Sequence, residues 1–270
     1  MRILVLRLLT VPSALALLAG CGAGVSNSIA NSSSPLVVAG NWEFHIQDPG
    51  PGGVPPLGIF TGALTQQGTA LSGTFRATGA TTCVAPTFDV QFTGTEDAQG
   101  DITLNSTNVP NNVITLTGSP VNNSLPGSGS TGGSLTIGGN GACAFTGGVT
   151  ALLGYNYKPL SGAYSASLSS VSGVTGTAML TQSAANSDGM FPETGSFTIG
   201  TGFCATTFLV NGFVAGPGLS ATLTSTSGPV ATAVLTGSIT DQTATAASVS
   251  LAVSSGICNS GTYSGTLTAQ

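Results

Sequence analysis

Charge is what this 270-residue chain lacks most: only 5% of its residues are Asp, Glu, Lys or Arg. Four basic residues stand against nine acidic ones, for a formal net charge of −5. The basic footprint that nucleic acid demands is absent. An anionic membrane surface has nothing to attract either. Histidine occurs once, as His45, and the five cysteines include no CxxC pair. A metal site therefore lacks both its imidazoles and its paired thiolates, and no metal or cofactor is expected. Two glycine-rich runs, Gly127–Gly133 and Gly138–Gly141, lack the lysine and following helix of a phosphate cradle. No stretch after residue 20 shows a helical apolar period.

What is present is glycine, serine, threonine and a moderate apolar content. Forty glycines would suit disorder, but 41% of residues are apolar, enough for a packed core. Low charge with abundant Thr, Val, Ala and Gly suits β-sheet with Thr on its wet faces.

The first thirty residues have an address. Arg2 and Arg7 precede an apolar run, Leu8 to Leu18, too short to span a bilayer. That is the anatomy of a secretory signal peptide. Leu18-Ala19-Gly20-Cys21 resembles the bacterial lipobox at all four positions. The resemblance implies a diacylglyceryl group on the Cys21 thiol, cleavage before Cys21 and acylation of its amino group by palmitate-type chains. One acyl chain holds a protein only marginally, whereas two or three anchor it firmly. By similarity to lipoproteins without Asp at the next position, Gly22 favours the outer membrane over the inner one. Residues 22–34, GAGVSNSIANSSS, carry no charge and read as a flexible tether. Without residues 1–20 only Arg76 and Lys158 remain against the nine acids.

The body of the chain is duplicated. GALTQQG (62–68), GTFRATGATTC (73–83), FDVQFTG (88–94) and DITLNST (101–107) are followed by VITLTGS (113–119), GGSLTIGGNGAC (132–143) and FTGGVTA (145–151). They recur in order as TAMLTQS (177–183), GSFTIGTGFC (195–204), FLVNGFVAG (208–216), SATLTST (220–226), AVLTGS (233–238), ASVSLAVSSGIC (247–258) and TYSGTLTA (262–269). Leu104 and Leu116 match Leu223 and Leu235, and VVAGNWEFHIQ (37–47) matches PLSGAYSASLS (159–169). Within each copy, apolar and polar residues alternate, with Gly, Pro, Asn and Asp punctuating every 8–14 residues. The expected fold is all-β: two tandem antiparallel β-barrel or β-sandwich repeats, each of roughly seven or eight strands. The divisions are a signal peptide at 1–20, a lipidated tether at 21–36, repeat one at 37–156 and repeat two at 157–270. Asp188-Gly189 is a candidate tight hairpin turn. Asn211-Gly212 reads as a one-residue β-bulge, and PVNNSLPGSGSTGG (120–133) as a loop. A bilayer-spanning barrel is not expected, because the alternate positions are filled with Thr and Ser and aromatics are only 6%.

Four cysteines remain after Cys21, and an even number in an exported chain implies disulfides. Of the three pairings, the repeat selects Cys83–Cys143 and Cys204–Cys258. Each would contribute about 4 kcal/mol by loop entropy.

Candidate chemistry is sparse. His45 alternates with Glu43 and Gln47 on one face of its strand, leaving Trp42, Phe44 and Ile46 on the other. It reads as a solvated residue, and a triad using it as base would be confined to copy one. Glu96, Asp97 and Asp101 in TEDAQGD (95–101) do not match the calcium loop, and copy two has VAGPG there. They read as a polar hairpin turn. Glu43, Asp48 and Asp89 are the remaining acids from which a glycosidase pair would be drawn. Tyr155, Tyr157 and Tyr164 at the junction of the copies read as packing between them.

Gly40-Asn41-Trp42-Glu43-Phe44, the LTG- and SGT-type strands and one cysteine pair per copy are together similar to a group of β-rich bacterial lipoproteins with no assigned activity. The resemblance spans residues 37–270 and implies no catalytic residue; Gly162-Ala163-Tyr164-Ser165 departs from the tryptophan strand. The expectation is a lipid-anchored cell-envelope protein, a non-enzymatic binding or structural module. Its partners would be the membrane, through lipid on Cys21, and a glycan or envelope protein. The alternative is an enzyme acting on envelope or extracellular polysaccharide through carboxylates of repeat one.

Overall fold

The computed structural model describes residues 36–46, 58–78, 88–120, 124–125, 133–139, 150–169, 174–200, 207–226, 231–253 and 261–270. The leader, nearly all of the tether, Asp48 and all five cysteines lie outside the described residues, and with them the lipidation site and both cysteine pairings.

Two closed antiparallel barrels of eight strands follow one another. The first comprises β1 (Gly40–Ile46), β2 (Ile59–Gln67), β3 (Ala70–Thr78), β4 (Asp89–Glu96), β5 (Ile102–Ser106), β6 (Asn112–Gly118), β8 (Gly133–Gly139) and β9 (Thr150–Tyr157). β9 pairs with β1 to close the ring. A two-residue strand, β7 (Ser124–Leu125), pairs with β9 beyond the end of β8. The second barrel comprises β10 (Gly162–Ser169), β11 (Val174–Gln182), β12 (Phe191–Ile199), β13 (Thr207–Ala215), β14 (Gly218–Ser225), β15 (Thr232–Ile239), β16 (Ala246–Val253) and β17 (Gly261–Ala269). It closes by pairing β10 with β17. Each strand neighbours the next, the up-and-down arrangement that leaves no open sheet edge.

Alternation decides the faces. In β1, Trp42, Phe44 and Ile46 point inward; in β16, Ala247, Val249, Leu251 and Val253 do. Many outward positions hold Thr and Ser, with Val113, Met179, Leu209, Phe213 and Val234 exposed among them. The first interior is aromatic. Trp42 stacks on Phe44 at 5.3 Å, Phe44 meets Phe75 at 5.3 Å, and Phe75 meets Phe92 edge-on at 5.8 Å. The second is filled mainly by Leu, Val and Ala around Phe197 and Phe208.

Hydrogen-bond register tests the duplication residue by residue. Gly40 opposite Leu64 recurs as Gly162 opposite Leu180, as the opening strands imply. Leu64 opposite Gly73 recurs as Leu180 opposite Gly195, and Leu116 opposite Leu135 as Leu235 opposite Leu251. Between these, two readings need correction. Asn211 and Gly212 pair one-to-one with both neighbouring strands, so there is no bulge. Leu116 lies opposite Leu104, while Leu235 lies opposite Ala221 rather than Leu223. The true offset is two residues. A two-residue slip keeps every side chain on its face, so hydrophobic alternation cannot detect it; a one-residue bulge would have reversed the faces.

Three further details differ. Asp188 and Gly189 end a four-residue turn begun by Asn186, inside a wider loop that Ser183 and Pro192 close. Segment 120–133 contains β7 and the first residue of β8. The described part of the closing strand of copy one, Thr150 to Tyr157, takes in the last two residues of FTGGVTA.

Some in-strand glycines are steric requirements. A Cβ on Gly94 would lie 1.8 Å from the Thr103 carbonyl oxygen, and one on Gly212 would lie 2.2 Å from that of Ser220. Strands coil tightly enough there that the neighbouring backbone fills the space of a side chain. Gly94→Val is expected to destabilise by about 3 kcal/mol, by the measure of overpacked cores. Gly138→Ala, with nothing within 4 Å, should leave stability unchanged. Paired thermal melts check both; equal melting temperatures would refute the steric argument.

Candidate functional site

The barrels meet over the outward face of β1 and β2. Alternation marks Glu43 as a wet residue, yet it is only 8% exposed. The turn between β13 and β14 covers it: a Cβ on Gly216 would lie 3.3 Å from Glu43 Cβ and 2.7 Å from Thr61 Cγ2. Gly216 has φ 55°, which favours glycine, and that contact leaves little room for a side chain. Asn41, 1% exposed, clamps the same residue. Its Nδ2 donates to Gly216 O at 2.7 Å, and its Oδ1 accepts from Gly216 N at 2.6 Å. The VAGPG segment that replaces the acidic turn of copy one is thus one contact between the barrels; Gly189 against the Thr74 carbonyl is another.

Beside this clamp, Glu43 Oε2 accepts a hydrogen bond from the Tyr157 hydroxyl at 3.0 Å and lies 2.9 Å from His45 Nε2. Burial, and then the Glu43 charge, hold the Tyr157 hydroxyl above the ordinary tyrosine range. The His45 ring stands edge-on to Tyr155 at 5.6 Å. His45 keeps 37% of its side chain exposed while lying against Glu43 and Tyr155 of the same barrel. Tyr157 also packs against the second barrel's core, as expected of a junction tyrosine, whereas Tyr164 lies inside that barrel with its hydroxyl on Ala244 O at 2.9 Å.

The other acids of copy one have structural partners. Asp89 accepts hydrogen bonds from Arg76 Nε and Nη2, at 2.7 and 2.8 Å. Glu96, 3% exposed, accepts Leu36 N–H and Gln66 Nε2–H, each at 2.7 Å. Asp97 caps its own turn through the N–H groups of Gln99 and Asp101, and Asp101 takes the Ser119 hydroxyl. Among the described residues no three His, Cys, Asp or Glu side chains gather as metal ligands.

Two grooves border the junction. One, about 260 Å³, is lined by Thr65, Ser72, Thr74, Gln91, Thr93 and Asn186, all uncharged. The other, about 300 Å³, is lined by Asn156, Tyr157, Lys158, Gln182 and Phe191 among others.

One acid of copy two was not singled out in the sequence. Glu193 is 0% exposed, and neither of its oxygens meets a hydrogen-bond partner among the described residues. The signal was present: Glu193, Gly195, Phe197 and Ile199 alternate, which places the carboxyl on the inward face with the core. Burial pushes it up to about 8, against a smaller opposing pull from the Thr181 backbone.

No protein-family model matches the chain, and no curated protein matches it. Among the described residues no helix is long and apolar enough to cross a membrane.

Proposed function

We propose that the chain is a lipid-anchored envelope protein, outer membrane in preference to inner, serving as a non-enzymatic binding or structural module. The observation that carries the non-enzymatic part is the employment of the acids. A polysaccharide hydrolase needs two carboxyls facing each other across a cleft, one as acid and one as base or nucleophile. Among the described residues of the first barrel, Glu43, Asp89, Glu96, Asp97 and Asp101 are each engaged by the fold, and Asp48 lies outside them. The anchoring part rests on Leu18-Ala19-Gly20-Cys21 behind its apolar run. The disulfide part rests on the matched positions of Cys83, Cys143, Cys204 and Cys258 in the two copies.

An uncharged glycan suits the first groove, because hydroxyl and amide groups exchange hydrogen bonds with sugars without the desolvation cost of a buried charge. An envelope protein is the other class of partner.

The test is the intact mass of membrane-extracted protein, before and after reduction and thiol labelling. The expected product begins at an acylated Cys21 and gains four labels only after reduction. An unlipidated chain overturns the anchor. Four thiols labelled without reduction overturn the bridges.

A further inference from the structure

Glu193 stands where the first barrel has leucine. Gln66 opposite Leu71 in β2 and β3 recurs as Gln182 opposite Glu193 in β11 and β12. Leu71 is 3% exposed and Glu193 is 0% exposed. The shared fold thus accepts an apolar side chain at this place, and folding alone does not call for the acid.

The neighbouring glutamines show what happens at this end of each barrel. Gln66 Oε1 accepts Val38 N–H at 2.9 Å, tying down the segment that enters β1. Gln182 Oε1 accepts Leu160 N–H at 2.9 Å, tying down the segment that enters β10. Ser161 Oγ accepts Gln182 N–H at 2.9 Å, and Lys158 N–H donates to Gln242 O at 2.9 Å. Leu160 itself is fully buried in the second core. In the first barrel the clamp is completed by a glutamate on β4: Gln66 Nε2 donates to Glu96 Oε2. Two residues beyond the matched glycines Gly94 and Gly212, the second barrel has Val214 in place of Glu96. Its glutamate has moved to β12, where, among the described residues, only the Thr181 backbone comes near it and no well-formed hydrogen bond satisfies either oxygen.

We infer that Glu193 is a proton-operated latch on the linker between the barrels. Protonated, it lies neutral beside Gln182, and the linker 158–161 docks with Leu160 in the barrel mouth. Ionised, it demands water, opens that mouth and releases Leu160.

The groups facing the carboxyl leave it without a counter-charge. β11 offers Gln182 and the Thr181 backbone, and β13 offers Gly212 and Val214. β10 offers Tyr164, whose hydroxyl is raised by burial first and then by Glu193 and Asp241. The two described cations are elsewhere: Arg76 on Asp89, and Lys158 exposed on the linker. The sign of the linkage follows. An ordinary glutamate loses its proton near 4.5, whereas this one holds it to about 8. The folded state therefore binds more protons than the unfolded state between those values, and stability falls as pH rises through that window.

The test uses the full mature chain at pH 5 to 9, comparing wild type with Glu193→Leu, which copies the first barrel, and Glu193→Gln. Thermal melts give stability, and hydrogen exchange gives the protection factor of the Leu160 amide. Wild type is expected to lose melting temperature across the window while both variants stay level relative to it. The Leu160 protection factor should fall tenfold or more in wild type and stay constant in Glu193→Leu. A Leu160 protection factor independent of pH overturns the latch, whatever the melts show. A wild-type melting curve parallel to those of the variants overturns the proton site beneath it.

Discussion

Trp42→Ala is expected to cost the first barrel about 3–5 kcal/mol, the range for removing a fully buried aromatic side chain. Trp42 is 0% exposed and begins the ring chain that runs through Phe44 and Phe75 to Phe92. Its loss leaves a cavity at the start of that chain. It also orphans a buried acceptor, because Trp42 Nε1 donates to Val38 O at 2.7 Å and Val38 is 2% exposed. An unpaired buried carbonyl costs about 1–3 kcal/mol by itself. Trp42→Phe separates the terms: it keeps a ring against Phe44 and loses the hydrogen bond, so about 1–2 kcal/mol is expected. Urea unfolding followed by circular dichroism measures both variants. Trp42 is the sole tryptophan, so wild-type emission reports the first barrel alone. A loss below about 1 kcal/mol for Trp42→Ala would mean that the aromatic chain is not what holds this barrel together.

The architecture was legible because both of its signals are local. In SATLTSTS and ASVSLAVS, period-two alternation gives the strands and their inward faces, and the recurrence of the pattern gives two equal units. Barrel and sandwich could not be separated, since both need the same alternation, and closure depends on the distant pairing of β1 with β9. The misread elements share one cause. Register between strands is set by hydrogen bonds and backbone coiling, and Leu223 was matched with Leu104 because a two-residue slip costs nothing in hydrophobic pattern. The junction was hidden for another reason. Alternation says that Glu43 and Asn41 point outward, but not that a second barrel lies over them. Glu193 was not singled out, although its inward position follows from the spacing to Phe197.

Asn41→Ala is expected to uncouple the barrels at a cost of about 2–5 kcal/mol. The side chain satisfies both backbone groups of Gly216, and alanine leaves a buried N–H and a buried C=O unpaired, each costing about 1–3 kcal/mol. Asn41→Asp is worse at neutral pH. It removes the donor to Gly216 O and buries a second carboxylate on the strand that already carries Glu43. Acid should relieve it as the new carboxyl gains a proton. The readout is the coincidence of two probes. Tryptophan emission follows the first barrel and circular dichroism follows both, so a coupled molecule shows one transition and an uncoupled one shows two. Gly216→Ala attacks the same contact from the other side, since its Cβ would press on Thr61. Removing one interaction twice should cost little more than removing it once, so the double variant should be markedly less than additive. Strict additivity, or coincident transitions in Asn41→Ala, would place the coupling elsewhere in the interface. The function is exposed to the same test. The uncharged groove takes Thr65 and Ser72 from one barrel and Asn186 from the other, and Asn41 lines no part of it. A glycan that binds there should therefore lose affinity in Asn41→Ala with every lining residue intact, because the substitution removes only the fixed pose that brings the two walls together.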